Sequence, residues 1–153
     1  AYDPHLIVSG VDTRNLGDGP RIQRVTRHVL GEMQALADRQ GFKLALSMDA
    51  VRERVYGRDD EQTRVVGELN DIARDAASHA GVPFYDLTGA FRNEYVLTGQ
   101  RLEYRYDWHW NEFANRLVGA TLVDWMLSDP RLLKPGMPSA ALNARSSAQP
   151  GRG

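Results

Sequence analysis

The chain has 153 residues, of which 42% are hydrophobic and 25% charged, with a formal net charge of −1; this is the composition of one globular domain with enough apolar material for a core. Acids and bases are mixed along its length, so no basic face invites nucleic acid and no polybasic run invites an anionic lipid surface. The absence of cysteine excludes disulfides, zinc-thiolate sites and a cysteine nucleophile, no run reaches the length of a membrane span, and the N-terminus lacks the pattern of a signal peptide.

The first predicted element is a short buried strand over 5–9, where Ala1-Tyr2-Asp3-Pro4 leads into Leu6-Ile7-Val8. With no initiator Met, this abrupt entry reads as the start of a fragment. A polar loop, Gly10 to Asn15, and a Gly17-Asp18-Gly19-Pro20 turn follow. Ile22, Val25, Val29, Leu30, Met33, Leu36 and Ala37 then form an apolar stripe that predicts a helix over about 21–39, stopped by Gly41. Residues 42–47 read as a second strand and 48–58 as a loop or short helix. A second amphipathic helix runs through Val65, Val66, Leu69, Ile72, Ala73, Ala76 and Ala77 to Gly81, and 82–87 supplies a third strand. A short helix carrying Phe91, Tyr95 and Val96 ends at Gly99.

Strands alternating with helices of this length pair in parallel through right-handed crossovers, which predicts an α/β three-layer α/β/α sandwich over residues 1–129. Ligands of such sheets bind at the carboxyl ends of the strands. The loops 10–16, 48–56 and 104–111 are therefore expected on one rim, with Asp12, Asn15 and His109 within reach of one another. Beyond Asp129, prolines scattered among Gly, Ser, Ala and Gln without periodicity predict a disordered tail over 130–153.

The most informative stretch is Asp107-Trp108-His109-Trp110-Asn111, in a loop ahead of a helix marked by Phe113, Leu117, Val118, Thr121, Leu122, Trp125 and Met126, with Asn111 as its N-cap. In an extended loop, residues i and i+2 share a side, so Asp107 and His109 face one cleft. A carboxylate on one ring nitrogen fixes the tautomer and leaves the other nitrogen to take a proton from a nucleophile. A plainer reading stands beside it: His109 at a helix entry, Asp107 forming a turn, and both tryptophans anchoring the last helix, with Trp110 inward. Trp108, Trp110, Tyr104 and Tyr106 equally make a surface for sugar rings, and Arg14, Arg101 and Arg105 are candidate partners for anionic groups.

Three patterns in order resemble the SGNH (GDSL-like) hydrolases, particularly their polysaccharide O-acetyltransferase branch. Asp107-x-His109-Trp110-Asn111 is similar to the last block, Gly81-Val82-Pro83-Phe84-Tyr85-Asp86-Leu87 to the strand before it, and the run from Tyr2 through Gly10-Val11-Asp12-Thr13-Arg14-Asn15 to the third block. The resemblance spans roughly residues 2–127. It implies His109 as catalytic base, Asp107 as the acid that orients it, an ester of a small molecule or polysaccharide as substrate, and export to the cell envelope; no cofactor and no metal is implied. The family's serine lies in a Gly-Asp-Ser motif after the first strand. Neither that motif nor the second block occurs here, so the resemblance places them before Ala1 and leaves this chain the last three of five strands. Val11 stands at the position of the oxyanion-hole Asn and cannot donate a hydrogen bond, a loss of about 3 to 4 kcal/mol of transition-state stabilisation. Asp12, Asn15 and Trp108 are the remaining candidates for oxyanion or substrate contacts.

Ser9 and Ser47 end predicted strands but lie in no nucleophile-elbow context, and His5, His28 and His79 read as capping or solvent-facing residues. Two functions therefore remain: the acid-base part of a serine esterase or O-acyltransferase, or a glycan-binding or scaffold module that kept the fold and lost the nucleophile.

Overall fold

The computed structural model describes residues 18–58, 60–105 and 109–133. Helix α1, Gly19–Gln40, starts where the Asp18 side chain accepts from the Arg21 amide at 3.1 Å, with Pro20 in the first turn, where a missing N–H is tolerated. It ends at Gly41, whose φ of 72° lets Phe42 N donate back to Ala37 O at 3.1 Å. Strand β1 is Leu46–Met48 and helix α2 is Arg52–Val55. Helix α3, Glu61–Ala80, is capped by Asp60 and closed by Gly81 with φ of 70°. Strand β2, Phe84–Asp86, leads into α4, Thr88–Thr98, and α5 spans Glu112–Ser128.

The two strands are parallel, with Leu46 opposite Phe84 and Met48 opposite Asp86. Each is shorter than its sequence run, for definite reasons. Val82 N is committed to Ala77 O at 2.8 Å in the helix cap, Pro83 has no N–H, and pairing begins only where Leu46 N reaches Pro83 O at 2.9 Å. Residues 42–45 precede that point without joining the ladder. The expected first strand over 5–9 lies outside the described residues.

Alternation along β2 divides the core. Phe84 packs with Leu44 and Leu46 on the cluster of Leu30 from α1, Ala76 and Ala77 from α3, and Val82 just after α3. Tyr85 packs on the other cluster, Ala50, Val55, Leu87, Phe91, Leu102, Ala114 and Val118, and its ring lies 5.3 Å from that of Trp125 on α5. The inner face of α3 is the one its periodicity predicts. On α1 the outcome differs: Leu30 and Ala37 are buried, whereas Val25, Val29, Met33 and Leu36 are each about half exposed. The sequence stripe is wider than the contact with α3, which takes only one side of it. After α5 the chain turns through residues 130–133, with Arg131 paired to Asp129 at 2.6 Å.

Candidate functional site

Both strands end at one rim, and the groups there are fastened by short-range bonds. Asp49, the first residue after β1, accepts from its neighbour Ala50 N at 2.7 Å, while its carbonyl takes the Asn70 amide at 3.0 Å. Val51 N donates to Thr88 Oγ1 at 2.9 Å, so the turn after β1 is tied to the start of α4 after β2. Asp86, the last residue of β2, accepts from Thr88 N and pairs with Arg74 of α3, each at 2.9 Å.

Residues 102–105 and 109–111, on either side of the stretch 106–108, come together at the same rim. Glu103 and Trp110 form an antiparallel bridge, Tyr104 N donates to His109 O at 3.2 Å, and Asn111 N donates to Leu102 O at 3.0 Å. Asn111 uses its whole amide. Its oxygen accepts from Ala114 N at 2.9 Å, as an N-cap should, and its nitrogen donates to Arg101 O at 2.7 Å and Glu103 O at 3.3 Å. The residue expected to start α5 therefore also closes the loop that carries His109.

Helix α2 holds the other side of this loop. The Glu103 carboxylate, only 4% exposed, receives the Tyr56 hydroxyl and lies 3.6 Å from Arg52 Nε. Tyr56 Oη in turn accepts from Leu102 N at 3.3 Å. A buried carboxylate is tolerable only with such partners. Trp110 crosses between the two halves: its ring packs edge-on to Phe91 at 5.8 Å and its Nε1 donates to Asp49 Oδ1 at 3.1 Å. The expected inward Trp110 is thus half-buried, with its polar edge kept at the rim.

The result is a cavity of about 330 Å³ lined by Asp49, Arg52, His109, Trp110 and Asn115. His109 is exposed on it, and Asn115 is fixed by donating to Trp110 O at 3.1 Å and Asn111 O at 3.0 Å. This lining offers one imidazole, one carboxylate, one guanidinium and one amide to a ligand with hydroxyl and carbonyl groups.

Of the residues expected at the site, His109 lies at the carboxyl end of β1, where the strand rule places it. Asp107, Trp108, Asp12 and Asn15 lie outside the described residues, as do Val11, Ser9 and His5. Ser47 is inside β1 and exposed, and His28 and His79 are exposed on α1 and α3. Asp49, Arg52 and Asn115 were not singled out from the sequence. The signal for the first two was present, because the loop 48–56 was expected on this rim; Asn115 becomes visible only when α5 is placed. Among the described residues no group of three or more His, Cys, Asp or Glu side chains is gathered as a metal would require, and no helix is long and apolar enough to cross a membrane.

Comparison with known proteins finds no matching family model, no matching curated relative and no matching solved structure.

Proposed function

We propose that this chain is the acid-base part of an SGNH-type serine esterase or O-acyltransferase, acting on acyl esters, acetyl above all, of carbohydrates or similar alcohols. The observation that carries the reading is the placement of His109 on a ligand-sized cavity at the carboxyl end of a parallel sheet, in a loop locked on both sides by Asn111 and Glu103. In this reading a serine hydroxyl supplied by sequence preceding Ala1 attacks the ester carbonyl as His109 takes its proton. The tetrahedral intermediate collapses, the leaving alcohol recovers that proton, and an acyl-serine remains. Water or a sugar hydroxyl then gives its proton to His109 and attacks the acyl group; the second intermediate collapses, the acid or acylated sugar leaves, and the serine oxygen takes that proton back from His109. Asp107 steadies the imidazolium through its other ring nitrogen.

The same reading gives the fold its finer form. Crossovers between parallel strands are right-handed, and α1 and α3 pack on one another on one side of β2. A strand over 5–9 then extends the sheet beside β1 on the edge away from β2, with α1 and α3 in one layer and α5 in the other, as in a three-layer sandwich. That strand would bring the 10–16 loop, with Asp12 and Asn15, to the rim occupied by His109.

The test is aryl-acetate hydrolysis by a longer chain that includes the upstream sequence, wild type against His109→Ala. A fall in kcat of at least about a thousandfold supports the reading, since removing a triad member costs that much or more; equal rates end it. A second reading, a glycan-binding module that kept the fold and lost the nucleophile, is favoured by the sequence: Val11 stands where the resemblance puts the oxyanion Asn and cannot donate a hydrogen bond. It expects saturable binding of acetylated oligosaccharide with no turnover by the longer chain.

A further inference from the structure

A second cavity, of about 300 Å³, shares no lining residue with the first: it is bounded by Arg54 of α2, Gly57 and Arg58 after that helix, and Arg92 of α4. Three guanidinium groups converging on one hollow repel each other, so the question is what neutralises them. Arg58 is answered within the chain. It donates to Asp60, whose other oxygen accepts the amide and hydroxyl of Thr63 at 2.9 and 2.7 Å. Those bonds, the Thr63 amide foremost, hold the Asp60 carboxyl down to about 2, so it is ionised at neutral pH.

The guanidinium groups of Arg54 and Arg92 have no hydrogen-bond or ion-pair partner among the described residues, and the buried Glu53 carboxylate next to Arg54 pairs with neither. Arg54 is nevertheless seated. A Cβ on Gly67, in the middle of α3, would stand 2.6 Å from Arg54 Nη2 and 2.7 Å from its Cζ. A mid-helix glycine costs about 1 kcal/mol against alanine, and here its bare backbone is what makes room for a half-buried guanidinium that no carboxylate pairs with among the described residues.

We propose that this cavity binds a phosphate group. A doubly charged tetrahedral anion matches the two guanidinium charges left uncompensated, and guanidinium forks present paired N–H donors to phosphate oxygens. The ligand is free phosphate or the phosphate monoester of a larger molecule, and the site is independent of any chemistry at His109.

The experiment titrates the full chain with inorganic phosphate and with glucose 6-phosphate at constant ionic strength, by calorimetry and by thermal shift. Saturable millimolar or tighter binding is expected. Gly67→Ala removes no charge and favours the helix, so it should leave Tm unchanged or raised while displacing the Arg54 guanidinium and weakening binding by about tenfold; Arg92→Gln should weaken it similarly. Equal affinity for the two probes identifies the free ion, and tighter binding of the sugar phosphate identifies a monoester. No saturable binding of either probe, or binding that both variants leave within about twofold, overturns the proposal.

Discussion

Trp110 Nε1 donates to Asp49 Oδ1 at 3.1 Å, and this bond joins the residue next to His109 to the first residue after β1. It ties a loop distant in sequence to the mouth of the sheet. Trp110→Phe keeps the ring on Phe91 and removes the donor, and should cost about 1 kcal/mol in urea unfolding, the usual worth of one hydrogen bond. Trp110→Ala also empties part of the core and should cost about 2 to 3 kcal/mol, less than a fully buried aromatic because the ring is half exposed.

Asn111 has three bonds to lose. Asn111→Ser retains a capping oxygen for Ala114 but lacks the amide nitrogen that donates to the carbonyls of Arg101 and Glu103, so about 1 kcal/mol should be lost; Asn111→Ala loses the cap as well, for about 2 kcal/mol or more. Chemical denaturation of the three proteins orders them, and an alanine variant as stable as the serine variant would mean that the cap contributes nothing.

His109 is exposed, so its removal should be nearly silent for folding. His109→Ala is expected within about 0.5 kcal/mol of wild type in stability, which separates loss of the proposed chemistry from loss of structure. A marked drop in Tm would make the ring a structural part.

Glu53 is 4% exposed and its Oε2 has no hydrogen-bond partner. Burying a carboxylate in this way is unfavourable, and Glu53→Met, similar in length and apolar, should raise stability by about 1 kcal/mol or more. A destabilised variant would show that the carboxylate is held by a partner outside the described residues.

Acid should weaken the start of α3 through Asp60. Its folded pKa of about 2 lies below the ordinary 3.8, so the folded state binds the proton less readily than the unfolded chain does. The resulting stabilisation is complete above about pH 4 and disappears as pH falls through about 2. Asp60→Asn keeps a capping side chain without the charge; the stability difference from wild type, followed by circular dichroism, should hold constant above pH 4 and shrink toward pH 2. A difference that stays unchanged across this window would remove the charge from the account.

The helices were legible because their signals are local. Asp18, Asp60 and Asn111 bond to the backbone three residues on, and Gly41 and Gly81 take the left-handed conformation that closes a helix. Strand extent was not legible to the same degree, because a ladder exists only where a partner is present: 42–47 and 82–87 read as strands, yet pairing is confined to Leu46–Met48 and Phe84–Asp86. The stripe on α1 was legible as apolar but not as half exposed, since hydrophobicity does not say how wide the neighbouring helix will be.

For the candidate site, the sequence singled out His109 and, through the rule on strand ends, the rim at which it was expected, because a residue type and its place after a strand are properties of the chain. Only the tertiary structure brought Asp49, Arg52 and Asn115 around it, and only it seated Arg54 against Gly67 of α3. Those neighbours come from separate elements, and their approach is set by how helices and strands pack rather than by any spacing along the sequence.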